Sequence, residues 1–234
     1  MCLLAVCKER PLTYAEFTNA WTSNPHGAGF GWVEHGKCVA RKGMMEHLKA
    51  WDEYQHIGRN LPHVAHFRRA SVGPVNPHLT HPFQVSYTSP LALEYCSSNP
   101  LLFHNGTWTE WKNAMMLIEL LSGPRAGDLS DTRVMAIYLS RAGVEKIHSI
   151  GEKAAVVTPR GIVHSGAFTE ESGVLFSNGS YGKGYVFPTS IYSTPPEPLW
   201  GFPWMHHLAM LHPEYAGDAC LCAPFEPLCA HHLV

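Results

Sequence analysis

The residues with chemical potential begin at the second position. Cys2 follows Met1 directly and leads into the apolar run Leu3-Leu4-Ala5-Val6. Cysteine has a small side chain, so cytosolic processing is expected to remove Met1. That would leave Cys2 with both a thiol and a free α-amine. Nucleophile and base would then share one residue. An α-amine titrates near about 7.7–8.0 and a thiol near about 8.5, and burial or a neighbouring cation can bring either to working pH. A lone Met-Cys start reads first as the opening of a buried strand. Only a set of partners further along the chain makes it a nucleophile.

Such a set follows in short clusters. His26-Gly27-Ala28-Gly29 comes first, then His66-Phe67-Arg68-Arg69-Ala70-Ser71-Val72-Gly73. Asn76 with His81-Pro82-Phe83, His104-Asn105-Gly106 and Ser130-Asp131 complete it. The alternate glycines of residues 27–31 permit positive φ and close backbone approach. No Gly-Lys-Ser/Thr follows them, so they do not make a phosphate loop. Arg68 offers a planar, permanently charged fork of the kind that binds a carboxylate. Asp131, taken alone, reads as a helix cap. His66 and His81 read as well as hydrogen-bonded structural histidines as they do as ligands.

The elements that must position these residues can be placed by periodicity. Thr13 and Glu16 fit a capping box before Phe17, Ala20 and Trp21, and Asn24-Pro25 stops that helix. A hairpin turns at His35-Gly36-Lys37 and returns through Cys38-Val39-Ala40. Met44, Leu48, Trp51 and Tyr54 predict a helix over 44–57. Residues 64–68 and 101–103 read as strands that deliver Arg68 and His104-Asn105-Gly106 at their ends. Trp111, Met115, Ile118 and Leu121 predict a helix closed by Gly123-Pro124, and Ser130-Asp131-Thr132 opens another. A hairpin over 154–157 and 161–164 and a strand at 174–176 follow. From Pro188 the texture changes to prolines and aromatics with little periodicity, which reads as a wrapping or partly ordered tail.

Composition bounds the function. With 234 residues and 45% hydrophobic content, the chain can bury one domain with a short appendage. A formal net charge of −2 gives no electrostatic case for nucleic acid or for an anionic membrane. No apolar run approaches the roughly 20 residues that span a bilayer, and no signal-peptide pattern opens the chain, so a cytoplasmic location is expected. The seven cysteines at irregular spacing read as free thiols. Cys220-x-Cys222 with Cys229 and His231-His232 fits no standard zinc spacing, so no metal is expected. In a cytosolic chain the glycosylation matches at Asn105 and Asn178 carry no meaning.

Together, the order and spacing of Cys2 and the five clusters resemble the glutaminase domain of class II glutamine amidotransferases, which are N-terminal-nucleophile hydrolases. The resemblance makes residues 1–187 that domain and leaves 188–234 as the tail. It implies an α+β fold, a four-layer αββα sandwich with two antiparallel sheets between helical layers and Cys2 opening a central strand. It implies attack of the Cys2 thiolate on the side-chain amide of glutamine, with ammonia leaving and water hydrolysing a γ-glutamyl thioester. No cofactor is implied. Asn105 and Gly106 would form the oxyanion hole, Arg68 would hold the substrate carboxylate and Asp131 its ammonium. Ser71, where threonine is common, would keep a hydroxyl contact, and His81 would line the substrate site. His26, Arg69 and Val72 depart from the aspartate, tryptophan and histidine that relatives often carry there.

Three functions fit these residues. The first is a glutaminase feeding ammonia to a separate synthase, since no synthase domain fits in the chain. The second is a hydrolase of another γ-glutamyl amide, like the ergothioneine-pathway hydrolase, and the third is a non-catalytic binding module. An acylase of the bile-salt-hydrolase type also begins Met-Cys, but the His-Asn-Gly and His-Pro-Phe segments do not resemble that branch.

Overall fold

The computed structural model describes residues 2–57, 60, 62–124 and 127–182. The apolar run after Cys2 forms strand β1 (Leu3–Cys7), buried along its whole length. Its side chains alternate between two cores. Leu3, Ala5 and Cys7 join one with Phe17, Phe30, Tyr54 and Phe67. Leu4 and Val6 join another with Val64, Leu101, Phe103, Ala155 and Val157. A strand buried on both faces belongs in the interior of a sheet.

That is where β1 lies. It pairs antiparallel with β4 (His63–Phe67) on one side and β11 (Val174–Phe176) on the other. With β2 (Ala28–Glu34), β3 (Lys37–Met44), β6 (Glu94–Ser97) and β10 (Thr169–Glu171), the order is β10-β11-β1-β4-β2-β3-β6. A second antiparallel sheet has the order β5-β7-β8-β9, from β5 (Phe83–Gln84), β7 (Leu101–Asn105), β8 (Lys153–Thr158) and β9 (Gly161–Ser165).

Helices cover the outer faces. Phe17 and Ala20 of α1 (Tyr14–Ser23) and Ala50 and Tyr54 of α2 (His47–Ile57) bury against the first sheet. Met115 and Ile118 of α3 (Trp111–Ser122) and Val134 and Ile137 of α4 (Asp131–Ala142) bury with Leu102, Ala154 and Val156 of the second. A short α5 (Ile147–Ile150) adds Ile147. The core between the sheets is supplied by alternate residues of both, Val64 from β4 and Leu101 and Phe103 from β7 among them. Each such fully buried large side chain contributes about 1.5–3 kcal/mol. The order of layers is helix, sheet, sheet, helix, as the αββα expectation requires.

Two glycines set the spacing of the sheets. In β2 the side chains of Ala28, Phe30 and Trp32 point to the helical layer, leaving Gly29 and Gly31 on the inner face. A Cβ at Gly29 would collide with the His81 carbonyl oxygen, and one at Gly31 would sit 2.9 Å from the Phe103 ring. Close approach is therefore what these two positions need, and of the glycines at 27, 29 and 31 only Gly27 has positive φ, at 104°.

Local signals were mostly sound, with two shifts. The capping box is present: Thr13 Oγ1 accepts the Glu16 N–H and the Glu16 carboxylate accepts the Thr13 N–H. The tight turn is His35-Gly36, both with positive φ. Met44, however, ends β3 opposite Ala28, and α2 begins only at His47 with Leu48 71% exposed. On α3, Leu121 is 64% exposed beside exposed Met116, Leu117 and Leu120. At about 100° per residue it falls about 80° round from Trp111, outside the buried stripe. Among the described residues no helix is long and apolar enough to cross a membrane. The stretch from 188, with Cys220, Cys222, Cys229, His231 and His232, lies outside the described residues.

Candidate active site

Five chain segments end around one small cleft. Cys2 stands at the head of β1, Arg68 to Val72 follow β4, and His81 precedes β5. His104 and Gly106 end β7, and Ser130, Asp131 and Thr132 open α4. The sequence scatters these residues over 130 positions; the central strands and one helix start gather them.

Cys2 is fixed by its neighbours. Its Sγ accepts the Arg69 N–H at 3.3 Å and lies 3.5 Å from the Arg69 carbonyl. Its own carbonyl accepts Asn178 Nδ2 at 2.7 Å. Burial pushes the thiol up from its ordinary value, while the Arg69 backbone hydrogen bond and the Arg68 guanidinium pull it down.

Arg68 is 3% exposed. Its guanidinium donates to the carbonyls of Pro74 at 2.9 Å and Val72 at 3.3 Å, so the loop after β4 holds the fork in place. Burial lowers its pKa, and nearby Cys2 and Asp131 oppose this. Asp131 does not cap α4. Ser130 does, accepting the Arg133 N–H, and Asp131 Oδ2 instead accepts the Trp108 N–H at 3.0 Å. The carboxylate thereby joins the segment after Gly106 to the helix start. Ser71 Oγ meets Thr107 Oγ1 at 3.3 Å across the same cleft.

Three buried histidines back the site. His66 stacks on His81 with ring centres 3.9 Å apart. His81 Nδ1 accepts the His104 N–H at 3.3 Å, and His66 Nε2 lies 3.2 Å from the His104 carbonyl. His104 Nδ1 meets Thr132 Oγ1 at 3.1 Å and lies 3.8 Å from Asp131 Oδ2. Burial, with Arg68 next in effect, lowers His66 to about 3, and burial drives His81 well below its ordinary value. Both are neutral hydrogen-bonding groups at physiological pH.

Sequence reasoning brought Cys2, Arg68, Ser71, His81, Gly106 and Asp131 to one cleft. Asn105 sits beside Gly106, but its side chain is buried, its amide 2.8 Å from Ser177 Oγ. Ser177 and Asn178 were missed. Only their place directly after an apolar strand could have pointed to them. His26 also gains a role: its Nδ1 accepts the Ala70 N–H at 3.0 Å and braces the Arg68 loop. Glu152 lies over Gly106, where a Cβ would collide with its Oε2. Among the described residues no group of three or more His, Cys, Asp or Glu could hold a metal ion.

No family model matches the chain, and no curated protein matches it. Among solved structures the chain is similar to glutamine phosphoribosylpyrophosphate amidotransferase from B. subtilis, solved in complex with ADP and GMP. The TM-score is 0.55 at 12% identity, over 75% of this chain and 41% of that one. The chain thus spans less than half the length of that protein. At this identity the likeness is one of fold. What the two share is the arrangement of two antiparallel sheets between helical layers.

Proposed function

We propose that the chain hydrolyses the side-chain amide of glutamine, with Cys2 as nucleophile, after removal of Met1. The observation that carries this reading is the meeting of a thiol, a buried arginine fork, a carboxylate and a strand-end glycine in one cleft. Arg68 takes the substrate α-carboxylate and Asp131 its α-ammonium, which places the amide carbon over Cys2. Ser71 and His81 line the glutamyl end. The Cys2 α-amine accepts the thiol proton, and the sulfur attacks the amide carbon.

The carbonyl oxygen becomes an oxyanion facing donors from Asn105 and Gly106. As it collapses, the carbon–nitrogen bond breaks and the proton passes to the leaving nitrogen, which departs as ammonia. Water then cleaves the γ-glutamyl thioester to glutamate and restores the thiol. Ammonia passes to an acceptor held by a separate synthase in the cytoplasm. Fold similarity to a glutamine amidotransferase supports this reading and supports glutamine as the amide donor.

The test is product analysis with the purified chain. Glutamine is expected to give glutamate and ammonia in equal amounts, with asparagine untouched. Glutamate released from a different γ-glutamyl amide, with glutamine inert, would move the assignment to that amide. No turnover of any γ-glutamyl amide would leave the binding-module reading.

A further inference from the structure

Ser177 Oγ accepts the Leu4 N–H at 2.9 Å and meets the Asn105 amide at 2.8 Å. With Nδ2 as the donor to Ser177, the hydroxyl receives two donors and its own hydrogen has no acceptor among the described residues. Asn105 Oδ1 is then buried with no partner. A half-turn of the amide exchanges its ends, and the hydrogen-bond network decides between them. After the half-turn, Oδ1 accepts the Ser177 hydroxyl proton and Nδ2 becomes the unpartnered end. One polar atom is orphaned in either case. Only in the second is the orphan a donor, and a donor is what a developing oxyanion requires beside the Gly106 N–H.

We propose that Ser177 is a positioning residue whose hydroxyl turns the Asn105 amide so that Nδ2 is free to meet the oxyanion. The inference rests on the reading of Asn105 as an oxyanion-hole residue. Ser177 is suited to the task because it is fixed on several sides. Its N–H donates to the Leu4 carbonyl at 2.9 Å, and its carbonyl accepts Lys153 Nζ at 2.6 Å. The adjacent Asn178 holds the Cys2 carbonyl. Nucleophile and oxyanion donor are therefore referenced to the same point on β1, two residues from Cys2.

Neutron diffraction of the deuterium-exchanged full chain reads the orientation directly, whatever the activity. A deuteron on Ser177 Oγ directed at Asn105 is expected. A deuterated amide nitrogen donating to Ser177 would overturn the proposal. Kinetics read the consequence. Ser177→Ala is expected to lower kcat for glutamine by at least about tenfold, short of the 10²–10³ that loss of a whole donor costs. KM should stay within about twofold, and Ser177→Thr should recover most of the rate.

In an Asn105→Ala background, Ser177→Ala should cost less than about twofold, because the group it orients is gone. Alkylation of Cys2 by iodoacetamide, a displacement without an oxyanion, should proceed at the wild-type rate in Ser177→Ala. Equal slowing of alkylation and turnover, or full additivity with Asn105→Ala, would mean that Ser177 acts on Cys2 through Leu4 and would overturn the proposal. Unchanged turnover in Asn105→Ala alone would instead remove the oxyanion-hole reading on which it rests.

Discussion

Cys2→Ala is expected to abolish ammonia release from glutamine, with kcat falling by about 10⁶, the scale seen when a covalent nucleophile is removed. Among the described residues lining the cleft, Cys2 combines a nucleophilic atom with a place at the head of β1, an interior strand. Among the other cysteines described, Cys7 and Cys38 are buried and neither lines the cleft. Burial raises both thiols to about 12, so each stays protonated and inert. Glutamine binding should survive the substitution, because Arg68 and Asp131 are untouched. Progress curves and a binding isotherm on the same preparation check this. Residual turnover within tenfold of wild type would reassign the nucleophile.

Asn105→Ala is expected to lower kcat by roughly 10²–10³ while changing glutamine binding less. The structure adds a qualification on stability. Removing the amide also removes the partner of Ser177 Oγ, which still accepts the Leu4 N–H. That costs about 1 kcal/mol, a small fall in Tm for a chain of this size. Steady-state kinetics with a thermal melt separate the two effects. Parallel loss of folding and binding would make Asn105 structural.

What the sequence made legible follows from the kind of residue involved. Cys2, Arg68, Gly106 and Asp131 were singled out together because the order and spacing of their clusters resemble a known domain, and all four line one cleft. The strands themselves announced their faces by alternation, as β1 does between its two cores. Asp131 read alone as a cap, yet Ser130 takes that place, which leaves the carboxylate for the Trp108 N–H and the cleft.

Other features needed partners that lie far away in the chain. Ser177 contacts Leu4 and Asn105, 173 and 72 positions distant, and a serine after an apolar strand carries no local mark. Gly29 and Gly31 signalled close approach but not what approaches, which is His81 and Phe103. Met44 misled because its spacing to Leu48 and Trp51 is helical, while its pairing with Ala28 keeps it in β3. His26 finds its structural reason in its bond to the Ala70 N–H. Nitrogen serves there as acceptor only if the ring is neutral, and burial with nearby Arg68 and Arg69 lowers its pKa accordingly.

The central claim is that a glutamyl group held by Arg68 and Asp131 presents its amide to Cys2. Peptide mapping after treatment with a diazo-ketone analogue of glutamine tests it most directly. The analogue should be carried by its amino-acid end to the nucleophile and add once, at Cys2, with Met1 absent from the labelled peptide. Free glutamine should protect, and Arg68→Lys should weaken that protection because an ammonium lacks the bidentate fork. Label spread over Cys7, Cys38, Cys96 and the three cysteines beyond residue 188, indifferent to glutamine, would contradict the account.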